Sequence, residues 1–166
     1  MAWWFAYPNS SQHCPVSTVD FSKIDLSKVT TMYSLFSGCN QLNQIIFSQT
    51  PTSELTNLNN TFSGSGVTEL DLRSFDTSNV TEMWGTFNGC ANLQTIYSYD
   101  FNIDSLSDLE YDSADMFKDC DSLVGQSGTT VADMLIDDPQ FAFTANYAMI
   151  DDPDGSGIYG YFTEPA

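Results

Sequence analysis

The sequence predicts an α/β fold: a right-handed leucine-rich-repeat solenoid with a parallel β-sheet on its concave face, short helical segments on its convex side and a C-terminal cap. Two observations carry this prediction. A segment of about 25 residues recurs along the chain, and most copies contain the strand pattern L-x-x-L-x-L. A fixed period of this length is typical of solenoids, in which each unit buries its apolar face against the next unit.

The repeat is clearest in residues 80–90, which read Val-Thr-Glu-Met-Trp-Gly-Thr-Phe-Asn-Gly-Cys. A similar segment stands 51 residues earlier, at 29–39, and a more degenerate copy lies between them at 55–65. A further copy ends at Cys120, 30 residues after Cys90. The pattern therefore predicts a degenerate N-terminal unit at 1–15, repeats at 16–125 and a capping segment at 126–166.

Each unit is expected to begin with a strand, as in Val16-x-x-Val19-x-Phe21. Alternation of period two places the apolar pair inward and the residue between them outward. The following segment, Val-Thr-x-Met-x-x-x-Phe, has apolar residues at relative positions 0, 3 and 7, which predicts a short helix on the convex side. A glycine in each of three units would end that helix, namely Gly38, Gly64 and Gly89.

The cysteines follow the repeat as well. Cys39, Cys90 and Cys120 occupy one position of the unit, Ser65 fills it in another copy, and Cys14 fits it if the first unit is shortened. A position that accepts serine requires a small, mildly polar side chain, and buried cysteine serves this purpose as a thiol. The sequence predicts unbridged thiols; the alternative is a disulfide between neighbouring units.

The charge of the chain excludes several partners. Four Lys plus Arg face 22 Asp plus Glu, so the net charge is −18, which repels nucleic-acid phosphates and anionic lipid headgroups. No apolar run is long enough to span a membrane, and the N-terminus does not resemble a signal peptide. We expect a segment of a longer secreted or surface protein, with no direct insertion in a membrane.

One acidic turn copies part of a calcium loop. Asp152, Asp154 and Ser156 have the spacing of the first three ligands of an EF-hand, and a glycine follows them. The twelfth position holds Thr163 in place of a bidentate glutamate, and no helical pattern flanks the turn. A solvated acidic turn is the interpretation we favour, and no cofactor is predicted.

Catalytic arrangements are weaker still. His13 stands beside Cys14, but adjacent residues rarely face each other and no orienting acid is identifiable. The pairs Asp137-Asp138 and Asp151-Asp152 could form an acid/base pair of the glycosidase type, although most such pairs are solvated surface charge. The sequence therefore predicts a protein that is not an enzyme.

Residues 70–90 read Leu-Asp-Leu-Arg-Ser-Phe-Asp-Thr-Ser-Asn-Val-Thr-Glu-Met-Trp-Gly-Thr-Phe-Asn-Gly-Cys, and the terminal run closes on Gly160-Tyr-Phe-Thr163. Both stretches resemble the BspA-like leucine-rich-repeat proteins of bacterial surfaces. The departures are Ser65 at the cysteine position, Tyr159 where a proline is usual and an acidic segment at 131–158. The resemblance implies surface display, adhesion and binding of protein or glycan, and it brings no catalytic residues.

The outward residue of every predicted strand lands on one face of the sheet. We expect a protein or glycan on a host or neighbouring cell surface to bind this face through exposed apolar and acidic side chains, namely Asp20, Ile46, Asp71, Tyr97 and Glu69. The predicted function is thus an extracellular or cell-surface binding scaffold. A structural spacer without a ligand is the alternative, followed by a calcium-dependent module or an extracellular enzyme.

Overall fold

The computed structural model describes residues 14–99, 101–132, 143–145 and 161–163. Within these ranges the chain forms short parallel strands and one four-residue helix, in the order β1 (Thr18–Asp20), β2 (Gln44–Ile46), β3 (Glu69–Asp71), β4 (Thr95–Tyr97), α1 (Leu109–Asp112) and β5 (Phe162–Thr163). The architecture is α/β, with small parallel sheets and little helix. No helix in this part of the chain is both long enough and apolar enough to span a membrane.

The strands follow the alternation that the repeat predicts. The middle residue of each of the first four strands is buried, and its two neighbours are exposed or half-buried. The buried residues are Val19, Ile45, Leu70 and Ile96. Successive side chains of a strand point to opposite faces, so the neighbours form a second, outward face.

The strands belong to two sheets. β1 pairs with β2 and β3 pairs with β4, in both cases in parallel with partners 26 residues apart, such as Thr18 with Gln44 and Glu69 with Thr95. β2 and β3 are in contact, but they do not pair as strands. The expected single sheet is therefore divided at this junction.

The chain that leads into β3 is also unusual. Two residues separate Cys39 from Leu42, whereas Gly66 alone separates Ser65 from Val67. A Cβ atom at Gly66 would lie 2.3 Å from the backbone oxygen of Asn40, which is far inside van der Waals contact. Only glycine allows this close approach of the two units beside the divided sheet.

The segments predicted as convex-side helices are successions of β-turns. In the first, the N–H groups of Leu35, Ser37 and Cys39 donate to carbonyls three residues earlier. The third residue of the first turn, Ser34, and the third residue of the last turn, Gly38, have positive φ of 51° and 74°. Type II turns require positive φ at this position, and an α-helix excludes it. The helix prediction was therefore wrong for these segments, and Gly38 is a turn residue, not a helix cap.

The remaining N–H groups of each turn segment donate to the next unit. The N–H groups of Met32, Ser34 and Phe36 donate to the carbonyls of Asn57, Asn59 and Thr61 at 2.8 to 3.0 Å. The same alternate bonding joins 58–64 to 82–88 and 83–89 to 112–118. Backbone groups that a helix would satisfy within itself are here satisfied by the neighbouring unit.

The core between the units contains a column of stacked phenylalanines. Neighbouring ring centroids lie 5.5 to 5.8 Å apart and the rings are within 15° of parallel, in the order Phe36, Phe62, Phe87 and Phe117. Each ring is fully buried. Such pairs add about 0.5–1.5 kcal/mol to the gain from apolar burial, so the column binds successive units together.

A second column consists of thiols. All four cysteines are buried and free, which confirms the prediction of unbridged thiols. The Sγ atoms of Cys90 and Cys120 each donate to the carbonyl of a core phenylalanine one unit earlier, at 3.0 Å. Ser65 takes its place in the column with its hydroxyl 3.6 Å from the Cys90 Sγ. The position therefore requires a small donor, which either thiol or hydroxyl supplies.

The C-terminal segment closes the second sheet. β5 pairs in parallel with β4, so that Phe162 lies opposite Ile96 and Thr163 opposite Tyr97. Phe162 is fully buried and packs edge-on against Phe101, with ring centroids 4.9 Å apart. The predicted calcium turn, the remaining acidic pairs and the histidine lie outside the described residues, as do Asp137, Asp138, Asp151, Asp152, Asp154, Ser156 and His13.

The phenylalanine column yields a test of the core. Replacing Phe87 by alanine removes one ring from the middle of the stack, and we expect the free energy of unfolding to fall by about 3–5 kcal/mol. The control is Asn92→Ala at an exposed position, which should change it by less than about 0.5 kcal/mol. Chemical denaturation of both variants measures the difference, and similar losses in both would contradict the assigned core.

The thiols yield a second test. Burial raises the pKa of Cys90 to about 11, so very little thiolate forms at pH 8 and the native protein should react slowly with a thiol reagent. In denaturant without reductant, all four thiols should react. A count below four that rises on adding reductant would reveal a disulfide.

Candidate functional site

The outward side chains of β1–β4 form one face of the molecule, which we call the strand face. Its members are exposed or half-buried: Thr18, Asp20, Gln44, Ile46, Glu69, Asp71, Thr95 and Tyr97. Ile46 keeps 38% of its surface exposed, which is unusual for an isoleucine. All five residues that the sequence singled out for binding lie on this face.

A cleft of about 540 Å³ opens on the strand face where β2 and β3 are unpaired, and we call it the strand-face cleft. Its lining includes four of the five predicted binding residues and several polar neighbours: Asn43, Gln44, Ile45, Ile46, Phe47, Gln49, Thr68, Glu69, Asp71, Arg73, Ser74 and Tyr97. Asp20 is not part of it. The interrupted sheet thus creates a concavity that a continuous sheet would fill.

An ion pair forms part of the lining of the cleft. The Arg73 Nε and Nη2 atoms donate to the two carboxylate oxygens of Asp71 at 2.8 and 2.6 Å. These hydrogen bonds lower the pKa of Asp71, and hydrogen bonding to Asp71 and then to Tyr99 raises the pKa of Arg73. A bidentate guanidinium–carboxylate pair has fixed geometry, so it presents charged groups in a defined direction.

Asp20 has a local role. Its carboxylate accepts a hydrogen bond from the Ser22 N–H at 2.7 Å, which closes a turn at the end of β1. Hydrogen bonds from the Ser22 hydroxyl and N–H lower the pKa of Asp20. Asp71 makes the same backbone contact with the Arg73 N–H at 3.2 Å. The acid at this repeat position therefore ends the strand, and Asp71 differs in also holding a guanidinium.

The lining of the strand-face cleft is suited to recognition by hydrogen bonding and apolar contact. The amide side chains of Asn43, Gln44 and Gln49 both donate and accept, while Ile46 and Tyr97 offer apolar and aromatic surface. The lining contains no histidine or cysteine. Across the described part of the chain, no three His, Cys, Asp or Glu side chains gather closely enough to hold a metal ion.

Arg73 is the site residue that sequence reasoning missed. The resemblance used in the analysis places serine at this position of the repeat, and the residue was passed over as a variable one. A signal was nevertheless present, because Arg73 is the single arginine in a chain of net charge −18. It stands two residues after Asp71, on the same side of the chain as the predicted binding residues.

The strand-face cleft falls inside the region that a known family model covers. The model matches residues 7–129 and is described as "Mycoplasma protein of unknown function, DUF285". The chain belongs to the DUF285 family. No curated protein and no solved structure matches it.

Membership of DUF285 places the repeats, both phenylalanines of the central stack and the whole lining of the strand-face cleft within one family domain. The description of DUF285 assigns no activity. The functional argument therefore depends on the chemistry of the cleft itself.

The ion pair can be tested by titration. Replacing Arg73 by glutamine removes the charged donor, so the pKa of Asp71 should rise toward its ordinary value of 3.8. Ionised Asp71 contributes stability above about pH 4, and this contribution is lost as the pH falls through the lowered pKa of the folded protein. Carboxyl ¹³C NMR measures the change.

Lys118→Gln, which removes the ion pair with Asp115, is the matched control and should leave the Asp71 titration unchanged. The stability difference between wild type and Arg73→Gln should be present at pH 7 and vanish near pH 2. An unchanged Asp71 titration in Arg73→Gln would show that the pair does not form in solution.

Proposed function

We propose that the repeats form a right-handed leucine-rich-repeat solenoid. Parallel pairing with an offset of 26 residues in two pairs of strands supports this, as does the alternate backbone bonding between turn segments. Parallel strands joined by a crossover are right-handed in nearly all proteins, which gives the handedness. In this arrangement the strand face is the concave surface, and β5 belongs to the C-terminal cap.

The function that this geometry supports best is a binding scaffold of a bacterial cell surface, with a protein or glycan ligand in the strand-face cleft. The observation that carries the proposal is the cleft at the β2–β3 junction, where Ile46 and Tyr97 stand beside the Asp71–Arg73 pair. Apolar and aromatic groups among oriented polar groups are typical of recognition surfaces. The resemblance to BspA-like proteins agrees with such a role.

The compartment is proposed on the same basis as the function. Free thiols are uncommon in secreted proteins, since an oxidising environment converts accessible pairs to disulfides. Here all four thiols are buried, and burial raises the pKa of Cys39, Cys90 and Cys120. Thiols held in this way resist oxidation, so unbridged cysteines agree with an extracellular location.

An adhesion assay tests the proposal. Fluorescent streptavidin beads carrying the biotinylated chain are mixed with cultured animal cells and, in parallel, with bacterial cells. We expect beads to bind one of the two cell types and expect Ile46→Ser and Tyr97→Ala to reduce the bound fraction about tenfold or more when combined, as for central anchors of an interface. Protease or periodate treatment of the cells then distinguishes a protein ligand from a glycan.

The matched controls are Ile24→Ser and Tyr33→Ala, which change the same residue types outside the strand-face cleft. Ile24 is 48% exposed, and Tyr33 is half-buried on a turn segment. Binding that the controls weaken as much as the cleft variants would place the ligand elsewhere. Beads that bind neither cell type would favour the structural spacer.

A further inference from the structure

A second cleft lies among the turn segments and shares no residue with the first. We call it the turn-side cleft; its volume is about 460 Å³ and it is lined by Asn59, Glu82, Trp84, Tyr111, Asp112 and Ala114. Its lining comes from two turn segments and helix α1. Unlike the strand-face cleft, it contains neither lysine nor arginine.

Two aromatic rings of this cleft are exposed. Trp84 keeps 46% of its surface exposed and Tyr111 keeps 79%. The repeat does not require a large ring at the first of these positions, because the equivalent residues are Tyr33, Asn59 and Ala114. Exposed aromatic residues that the fold does not use are characteristic of binding sites.

Helix α1 brings the second ring to the cleft. It belongs to the segment that lengthens the fourth unit, and its N-terminus is capped by Asp108, whose carboxylate accepts from the Tyr111 N–H at 3.1 Å. The Met83 N–H then donates to the Asp112 carbonyl at 2.8 Å, which joins α1 to the neighbouring turn segment. The insertion thus adds Tyr111 to a cleft that the regular repeat would leave without it.

Two carboxylates are held in place beside the rings. The Nδ2 atoms of Asn57 and Asn59 each donate to the Glu82 Oε2 at 2.6 Å. The Asp112 Oδ2 accepts from the Ser107 N–H and hydroxyl and from the Asp108 N–H, each at 2.9 Å. Within the described ranges, the second oxygen of each carboxylate, Oε1 of Glu82 and Oδ1 of Asp112, accepts no hydrogen bond.

We propose that the turn-side cleft binds a quaternary ammonium group, such as that of choline. A cation gains from the faces of Trp84 and Tyr111 through cation–π attraction and from the two carboxylates through Coulomb attraction. A methylated ammonium is weakly hydrated, so entry to an aromatic cleft costs it less than a primary ammonium would lose. The net charge of −18 adds long-range attraction for any cation.

The test uses choline chloride titrated against the whole chain, with the indole N–H signal of Trp84 followed by NMR. We expect a saturable shift of this signal and, by calorimetry, binding that weakens about tenfold or more in Trp84→Leu and in Tyr111→Leu, the loss that one or two cation–π contacts imply. Tyr33→Leu, at the equivalent position of an earlier unit, should bind like wild type. Thermal unfolding checks that each variant is folded.

Two further ligands separate charge from shape. The neutral isostere 3,3-dimethylbutan-1-ol should not bind, because it lacks the cation, and n-butylammonium should bind more weakly than choline. No saturable shift with choline, equal binding of the neutral isostere, or tighter binding of the primary ammonium would each overturn the proposal.

A last arm identifies the source of the ligand. Co-sedimentation with phosphatidylcholine vesicles would add the lipid headgroup as a ligand, and choline binding without co-sedimentation would restrict the site to small molecules. Co-sedimentation without a choline shift would overturn the proposal, since the membrane would then be bound through another surface.

Discussion

The backbone hydrogen bonds between turn segments are the interaction on which the rest of the structure depends. Every second N–H of a segment donates to the next unit, as from Phe36 to Thr61 and from Phe62 to Thr86. A buried donor left without a partner costs about 1–3 kcal/mol, so no unit can keep this conformation without a neighbour. The aromatic stack and the thiol column lie between the same segments and benefit from the spacing that these bonds impose.

The two clefts arise from departures from this regularity. The strand-face cleft opens where the bonding of one strand to the next is interrupted, and the turn-side cleft is completed by the segment that lengthens the fourth unit. The regular units provide rigid, repeated positions, while the irregular ones provide shape and unusual side chains. Both clefts lie within the part of the chain that defines its family.

The sequence predicted the strands and their buried residues because a period of two has one structural meaning. It failed for the turn segments because Met32, Leu35, Phe36 and Cys39 are all buried with the spacing that a helix also produces. What separates the two structures is where alternate N–H groups donate, and those acceptors lie a whole unit away. The face carrying Ile46 and Tyr97 could be predicted, whereas the cleft depends on a missing strand pairing that no local pattern reveals.

The identity of the bonding atoms in every unit has a genetic consequence. Since each unit offers its neighbour the same donors and acceptors, an in-frame gain or loss of one unit would recreate the same junction on both sides. Coding sequence with this internal similarity recombines with itself, so related genes are expected to differ in length by multiples of one unit. The junction marked by Gly66 is an exception, because its shortened connection and close backbone contact differ from those of its neighbours. Recombination at that point would abolish the strand-face cleft, so selection for binding would be visible as a fixed junction within an array of variable length.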